Sequence, residues 1–449
     1  MTATMVWEQV QEEAVRHLQA LLRINTVNPP GNETAAAQYL AQVLQREGIA
    51  ADVIESAPGR GNLVARIRGN GNARPLLLMA HSDVVSVEPA YWMHDPFGGE
   101  VLDGWIWGRG AVDTKGLVAC ELMVMLLVQR LGLQLDRDLI FAVFADEEAG
   151  GRYGAAWMWQ NRRELIDAEY AINEGGGTRL SLAGHHFYLC QTGEKGATRL
   201  RLIARGQPGH ASVPIPDTAM ERAAQSIMAL VTHQFPTVLT PTVQTMLRAI
   251  GDVVGGNVAA VVEQAIQQPD WTMLQQLPLP EPEQRMLYAM TRNTAVPTIV
   301  HGGHRINVIP SEVTVDVDGR ILPGEDPQSF VDAIQALVRP GVHVEALSMA
   351  SGIEAPPDTP FFVTIREVMG EIDPGSHVVP YLVPGATDAR HLPGVRVYGF
   401  MPMRDHPEEF DLAHAHNERI SVDTIRFATK ALFAIVTRFC HAYPEVHVA

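Results

Sequence analysis

The chain has 449 residues, 46% of them hydrophobic, and a net charge of −17 at neutral pH. That length is too great for one simple core and predicts two domains, or one domain with a large insertion. The acidity speaks against nucleic acid or an anionic membrane as partner, and three cysteines far apart (Cys120, Cys190, Cys440) imply neither a disulfide framework nor a thiolate zinc site.

The opening segment "MTATMVWEQVQEEAVRHLQALL" mixes acids with its apolar residues and predicts an amphipathic helix over Val6–Ile24, not a signal peptide. Pro29, Pro30 and Gly31 end it, and Asn32 opens a second helix reaching Arg46. Short apolar runs follow at Asn62–Ile67, Leu76–Ala80, Leu139–Ala145 and Ala168–Asn173, with helical stretches at Lys115–Leu131 and Tyr153–Arg163. Apolar strands alternating with helices predict an α/β domain with a largely parallel sheet. The longest oily stretch, Leu117–Val128, is broken by Glu121 and spans no membrane, so the cytoplasm is the expected location.

From Gly193 the texture changes. "ATRLRLIARG" and "EVTVDVDGRIL" (Glu312–Leu322) alternate like antiparallel strands with one wet face, and helices are expected at Thr218–Phe235 and Pro327–Arg339. With "VHVEALSMA" this is a β-α-β-β-α-β-like layout, a small α+β domain. Val238–Thr298, rich in Pro, Gln and Met, reads as a helical insert within it. After Gly352 the α/β texture returns and closes in a helix at Val422–His441. The expected division is 1–192 and 352–449 for the α/β domain and 193–351 for the inserted one.

Polar residues cluster where strands end: His81 and Asp83 in "AHSDVV", Asp113 in "GRGAVDTKG", Glu147 and Glu148 in "ADEEAGG", Glu174 in "NEGGG", and His414, His416 and Glu418 in "AHAHNE". In open α/β sheets the C-terminal strand ends gather along one rim, where ligands bind, so His81, Glu147/Glu148 and Glu174 are expected to converge. Imidazoles with carboxylates form a mixed N/O donor set suited to zinc, with cobalt or manganese tolerable. Two histidines and three carboxylates exceed the three protein ligands of a single catalytic zinc and suit two metals about 3.5–4 Å apart. Singly, each residue has a plainer reading: Asp146–Glu148 as acids opening a helix, Asp113 as an N-cap, His81 as a core histidine, Glu174 as loop decoration.

The ordered set "HSDVV", "DPFGG", "DGWIWGRGAVDTKG", "DEEAGG", "NEGGG", "GHAS", "GATDAR" and "HAHNE" resembles the dizinc exopeptidase and amidohydrolase family of glutamate carboxypeptidase, aminoacylase, succinyl-diaminopimelate desuccinylase and carboxypeptidase S. The Trp92, Pro96 and Phe97 region and "NEGGG" are most similar to the aminoacylase and carboxypeptidase S branch. The resemblance implies a catalytic α/β domain with a mostly parallel mixed sheet flanked by helices, plus an inserted ferredoxin-like α+β lid that forms a homodimer. It implies that Asp113 bridges two divalent ions, His81 and Glu174 hold one, and Glu148 and a late histidine hold the other. The family's spacing, four residues before a glutamate, favours His414 over His416. Glu147 is the implied general base, Asp83 the residue orienting His81, and His210 the oxyanion donor. Asn307, Arg320, Gly385 and Thr387 match substrate contacts, though Arg320 fits a strand-end salt bridge equally well, as Asp388 and Arg390 fit a structural ion pair. The Asp113–Thr114 peptide is expected to be cis. The implied reaction is metal-dependent hydrolysis of an amide in a small peptide or N-acyl amino acid with a free carboxylate. A dipeptidase or other carboxypeptidase is the alternative within the family. A non-catalytic binding relative and a metal-free carboxylate-pair enzyme are the alternatives outside it.

Overall fold

The computed structural model describes residues 7–443. These fall into two compact units: residues up to Thr192, with Ala355–Pro380 and those from Thr387 on, and a second unit of Gly193–Glu354 with Tyr381–Ala386. The first helix runs Trp7–Leu22, while Val6, where the sequence places its start, lies outside the described residues.

The first unit is built on a mixed sheet. Its centre is parallel: strand Arg137–Phe144 beside Ala73–His81, then Tyr170–Asn173, then Arg396–Gly399. Gly61–Ile67 and Ala51–Glu55 extend one side antiparallel, and on the other Gly399 pairs antiparallel with Gln191. Leu76, Leu77, Leu78 and Met79 are fully buried, as expected of a strand covered on both faces. Helix Lys115–Arg130 has no wet face from Lys115 to Val128, which a helix tolerates only inside a core. It packs between the helices Trp7–Leu22 and Val422–Phe439, and their apolar stripes join the sheet in one cluster.

The strand register positions the polar residues. His81 pairs with Phe144, and Leu78 with Ile172, so three neighbouring parallel strands end at nearly one level. Past those ends stand His81 and Asp83, Glu147 and Glu148, and Glu174.

The second unit has a four-stranded antiparallel sheet in the order Thr294–Gly302, Glu312–Ile321, Gly196–Arg205, Val342–Ser348. Helices Ala219–Thr232 and Pro327–Leu337 pack against it, and Leu200, Leu202, Val313, Val315, Phe330 and Ile334 form its core. The insert contains the helices Pro241–Val254, Gly256–Gln267, Trp271–Leu274 and Glu281–Met290. Its last residues are not helical, because Thr294–Gly302 is the edge strand of the sheet. Pro297 obscured this in the sequence: a proline cannot donate to a central ladder, but here it sits on an edge, at a register shift. Among the described residues no helix is long and apolar enough to cross a membrane.

One buried lysine ties the end of the first helix to the start of another in the first unit. Lys115 is fully buried, and its Nζ donates to the carbonyls of Leu21 (3.1 Å) and Ile24 (2.8 Å), just past the Asp113–Thr114 step. Lys115→Met should strand both carbonyls and lower stability by about 1.5–3 kcal/mol. The check is a reduced urea midpoint at unchanged m.

Candidate metal centre

Two groups of metal-ligand donors share one residue. The first is His81, Asp113 and Glu174, and the second is Asp113, Glu148 and His414; within each, the donor atoms lie within 4.8 Å of one another. Asp113 divides its oxygens between them. Oδ1 is 3.0 Å from His81 Nε2 and Oδ2 is 3.1 Å from His414 Nε2. His81 Nε2 is also 3.4 Å from Glu174 Oε2, and His414 Nε2 is 3.0 Å from Glu148 Oε2. The Asp113–Thr114 peptide is cis. Asp113 caps no helix: the residue before Lys115–Arg130 is Thr114, whose side chain makes no cap bond. His416 points elsewhere, stacked on Tyr91 at 5.0 Å and 3.5 Å from Glu88.

Local backbone explains how adjacent acids part company. Asp146 is left-handed (φ 71°), so the chain turns sharply after the strand and Glu147–Ala149 forms a single short 3-10 turn. Asp146 takes no part in either donor group. Its Oδ1 accepts from Arg60 Nη2 (2.8 Å) and Asn28 Nδ2 (3.0 Å), and its Oδ2 from the Tyr153 amide (3.0 Å). Arg60 is held in turn by the buried Glu33 through bonds of 2.6 and 2.9 Å. The sequence left Asn28, Glu33 and Arg60 unmarked, since lone polar residues near turns carry no periodic signal.

Asp83 makes contacts beyond the His81 ring. The imidazole Nδ1 is 3.0 Å from the Asp83 main-chain carbonyl and 3.5 Å from its carboxylate. The carboxylate itself accepts from the amides of Glu147 (3.0 Å) and Glu148 (3.2 Å) and from Asn28 Nδ2 (2.9 Å). One buried aspartate thereby holds the turn that presents both glutamates. Two of the three glycines after Glu174 also have a physical reason: a β-carbon on Gly176 or Gly177 would collide with the carbonyls of Gly399 and Met401, against which that loop packs.

The electrostatics are those of a cation-binding centre. Burial pushes Glu147, Glu148 and Glu174 above the ordinary carboxylate range, and Glu174 adds to the effect on Glu147. Against burial, the two imidazoles hold Asp113 well below that range. Hydrogen bonds to Asp113 and Glu148 raise His414 to about 10. The field that draws protons onto these rings also favours divalent cations, which would relieve the carboxylate repulsion directly. Two imidazoles and three carboxylates, one of them shared, fit two ions of intermediate softness. Glu147 is in neither group and is not needed as a ligand. Asp388 is buried with both oxygens unbonded, and burial pushes it up to about 8. It makes no ion pair with Arg390, whose Nε lies 3.1 Å from His391 Nε2. Thr387 accepts from Asn173 Nδ2 at 3.0 Å, beside Glu174 in sequence.

The remaining expected residues belong to the second unit. His210 and Asn307 are neighbours there: strands Gly209–His210 and Val308–Ile309 pair, and the Ala211 amide donates to the Asn307 carbonyl at 3.0 Å. Arg320 is engaged by Asp318 through bonds of 2.6 and 3.1 Å. Gly385 lies in the Tyr381–Ala386 segment.

The model of "Peptidase family M20/M25/M40" matches residues 77–438. The chain is 25% identical over 456 residues to the N-fatty-acyl-amino acid synthase/hydrolase PM20D1 of Xenopus tropicalis, covering 96% of this chain and 87% of that one. It is 26% identical over 410 residues to human aminoacylase-1, covering 89% and 88%. A solved M20 family metallo-carboxypeptidase, Sso-CP2 from Sulfolobus solfataricus, has the same fold at a TM-score of 0.72 and 19% identity, covering 96% of this chain and 99% of that one.

Proposed function

The chain belongs to peptidase family M20/M25/M40, and on that premise we propose that it is a dinuclear hydrolase of N-acyl amino acids with Glu147 as its general base. It is an enzyme of metal-dependent amide hydrolysis. The observation supporting two ions is the division of the Asp113 carboxylate, one oxygen toward each histidine. His81 and Glu174 would hold one ion with Asp113, and Glu148 and His414 the other. Zinc suits these donors best, with cobalt or manganese tolerated. When bound, the pair would acidify water and polarise the scissile carbonyl.

Glu147 is the acid of this centre that has no ligand duty. Its main chain is fixed by Asp83, and its raised affinity for a proton suits a base that must take one from water and return it to the leaving nitrogen. Asp83 holds the turn and the His81 ring. For the oxyanion we propose His210. Its Nδ1 accepts from the Ser212 amide at 3.2 Å, which places the ring proton on Nε2, where it can be donated. Asn307, Arg320, Gly385 and Thr387 are proposed substrate contacts; for Arg320, binding a substrate carboxylate would require exchange with Asp318. The relatives named for N-acyl amino acids favour that substrate class. A dipeptide or other carboxypeptidase substrate is the second reading, favoured by the metallo-carboxypeptidase of the same fold. We further propose that the second unit forms a homodimer, since its edge strand exposes Val296, Ile299 and Val300.

Glu147→Gln should retain two metal equivalents by elemental analysis while kcat on N-acyl amino acids falls by about 10²–10⁴. Near-normal turnover would remove Glu147 from the role. Asp113→Ala should lose both ions. His210→Ala should lower kcat by about 10²–10³ with little change in KM; an effect confined to KM would rule out oxyanion binding.

A further inference from the structure

We propose that Glu418 is a positioning residue for the second metal position, formed by Asp113, Glu148 and His414, and that it sets the separation between the Asp113 and His414 loops. The inference rests on the dinuclear reading above.

Glu418 is fully buried and belongs to neither donor group. Its carboxylate accepts four hydrogen bonds, all from one loop. Oε2 accepts from Arg109 Nη1 (2.7 Å) and the Gly110 amide (2.9 Å). Oε1 accepts from the amides of Val112 (2.8 Å) and Asp113 (3.1 Å). A carboxylate has about four lone-pair positions, so its capacity is filled. The Asp113 amide is thus anchored on a side chain that is four residues from His414 in sequence.

A second set of bonds runs from the same loop to main-chain carbonyls of the His414 segment. Arg109 Nη2 donates to the His414 carbonyl at 3.3 Å, and the Gly108 amide donates to the Glu418 carbonyl at 3.0 Å. Strand Arg419–Ser421 then pairs with Trp105–Trp107, continuing the junction. His414 itself is left-handed (φ 62°), a conformation that a residue with a β-carbon keeps only when its surroundings enforce it. The Arg109 bond to its carbonyl, with Arg109 held by Glu418, is part of those surroundings. Asp113 and His414 therefore meet through a buried junction between loops some three hundred positions apart.

A purely structural ion pair would serve the fold alone. Here the acceptor's partners are the amides leading into the shared ligand, and its arginine grips the carbonyl of the other ligand. Glu418→Gln separates the two roles. An amide nitrogen cannot accept, so either the Arg109 and Gly110 pair or the Val112 and Asp113 pair loses its acceptor while volume is kept.

The experiment is calorimetric titration of Zn²⁺ into the metal-stripped full chain, with Co²⁺ absorption as a spectroscopic readout and the thermal midpoint as a control for folding. The wild-type chain should take two ions. Glu418→Gln should bind one unchanged and the other about 10–100-fold more weakly, and His414→Ala added to it should cost less of that second ion's affinity than His414→Ala costs in the wild-type chain. Two ions in the variant at wild-type affinities, or both weakened equally, would overturn the proposal while leaving the dinuclear reading intact. A wild-type chain that binds a single ion would overturn both. If Glu418→Gln does not fold, Arg109→Lys carries the same test, because a lysine cannot reach Glu418 and the His414 carbonyl together: selective weakening of one ion supports the proposal, and unchanged binding of both overturns it.

Discussion

A single carboxylate placed between two imidazoles organises the first unit. Asp113 faces His81 with one oxygen and His414 with the other, and neither histidine is near it in sequence. Around it stand Glu147, Glu148 and Glu174, partly or wholly shielded from water. Carboxylates so gathered repel one another and lose hydration, and buried charge persists only when it is paired or coordinated. The rest of the unit supplies part of that compensation, through strands that end together and loops that bring two imidazoles to the same place.

The surrounding polar groups are arranged as a support. Asp83 accepts the amides of Glu147 and Glu148, and Asn28 links Asp83 to Asp146. Arg60 and the buried Glu33 fix Asp146 in its left-handed turn. On the far side, Glu418 and Arg109 perform the equivalent service for the loop that ends at Asp113. These groups are themselves buried, and the hydrogen bonds they make to one another and to the main chain are what stiffens them.

Membership of the family and the geometry of the centre support different parts of the functional reading. The family establishes hydrolysis of amides with metal; the donor atoms indicate how two ions would be shared. The residues proposed for the oxyanion and the substrate, His210, Asn307 and Arg320, lie in a unit with its own sheet and core. The Arg320 pairing with Asp318 illustrates the distinction: the same guanidinium can serve the fold or a substrate carboxylate, and sequence cannot separate the two.

By itself the sequence determined the architecture, because apolar runs and their periods respond to burial, and burial is a local property of each strand and helix. It also determined the order of the polar residues, since His81, Glu147 and Glu174 each stand at or just beyond the end of an apolar run. It did not determine which acceptor each donor finds. That Asp83 serves two amides, that Asp146 turns away toward Arg60, and that Glu418 closes on the loop of Asp113 are matters of packing between segments up to several hundred residues apart. The edge strand at Thr294–Gly302 was hidden for the same reason: whether a proline costs a hydrogen bond depends on which side of the strand has a neighbour, and only the folded sheet decides that.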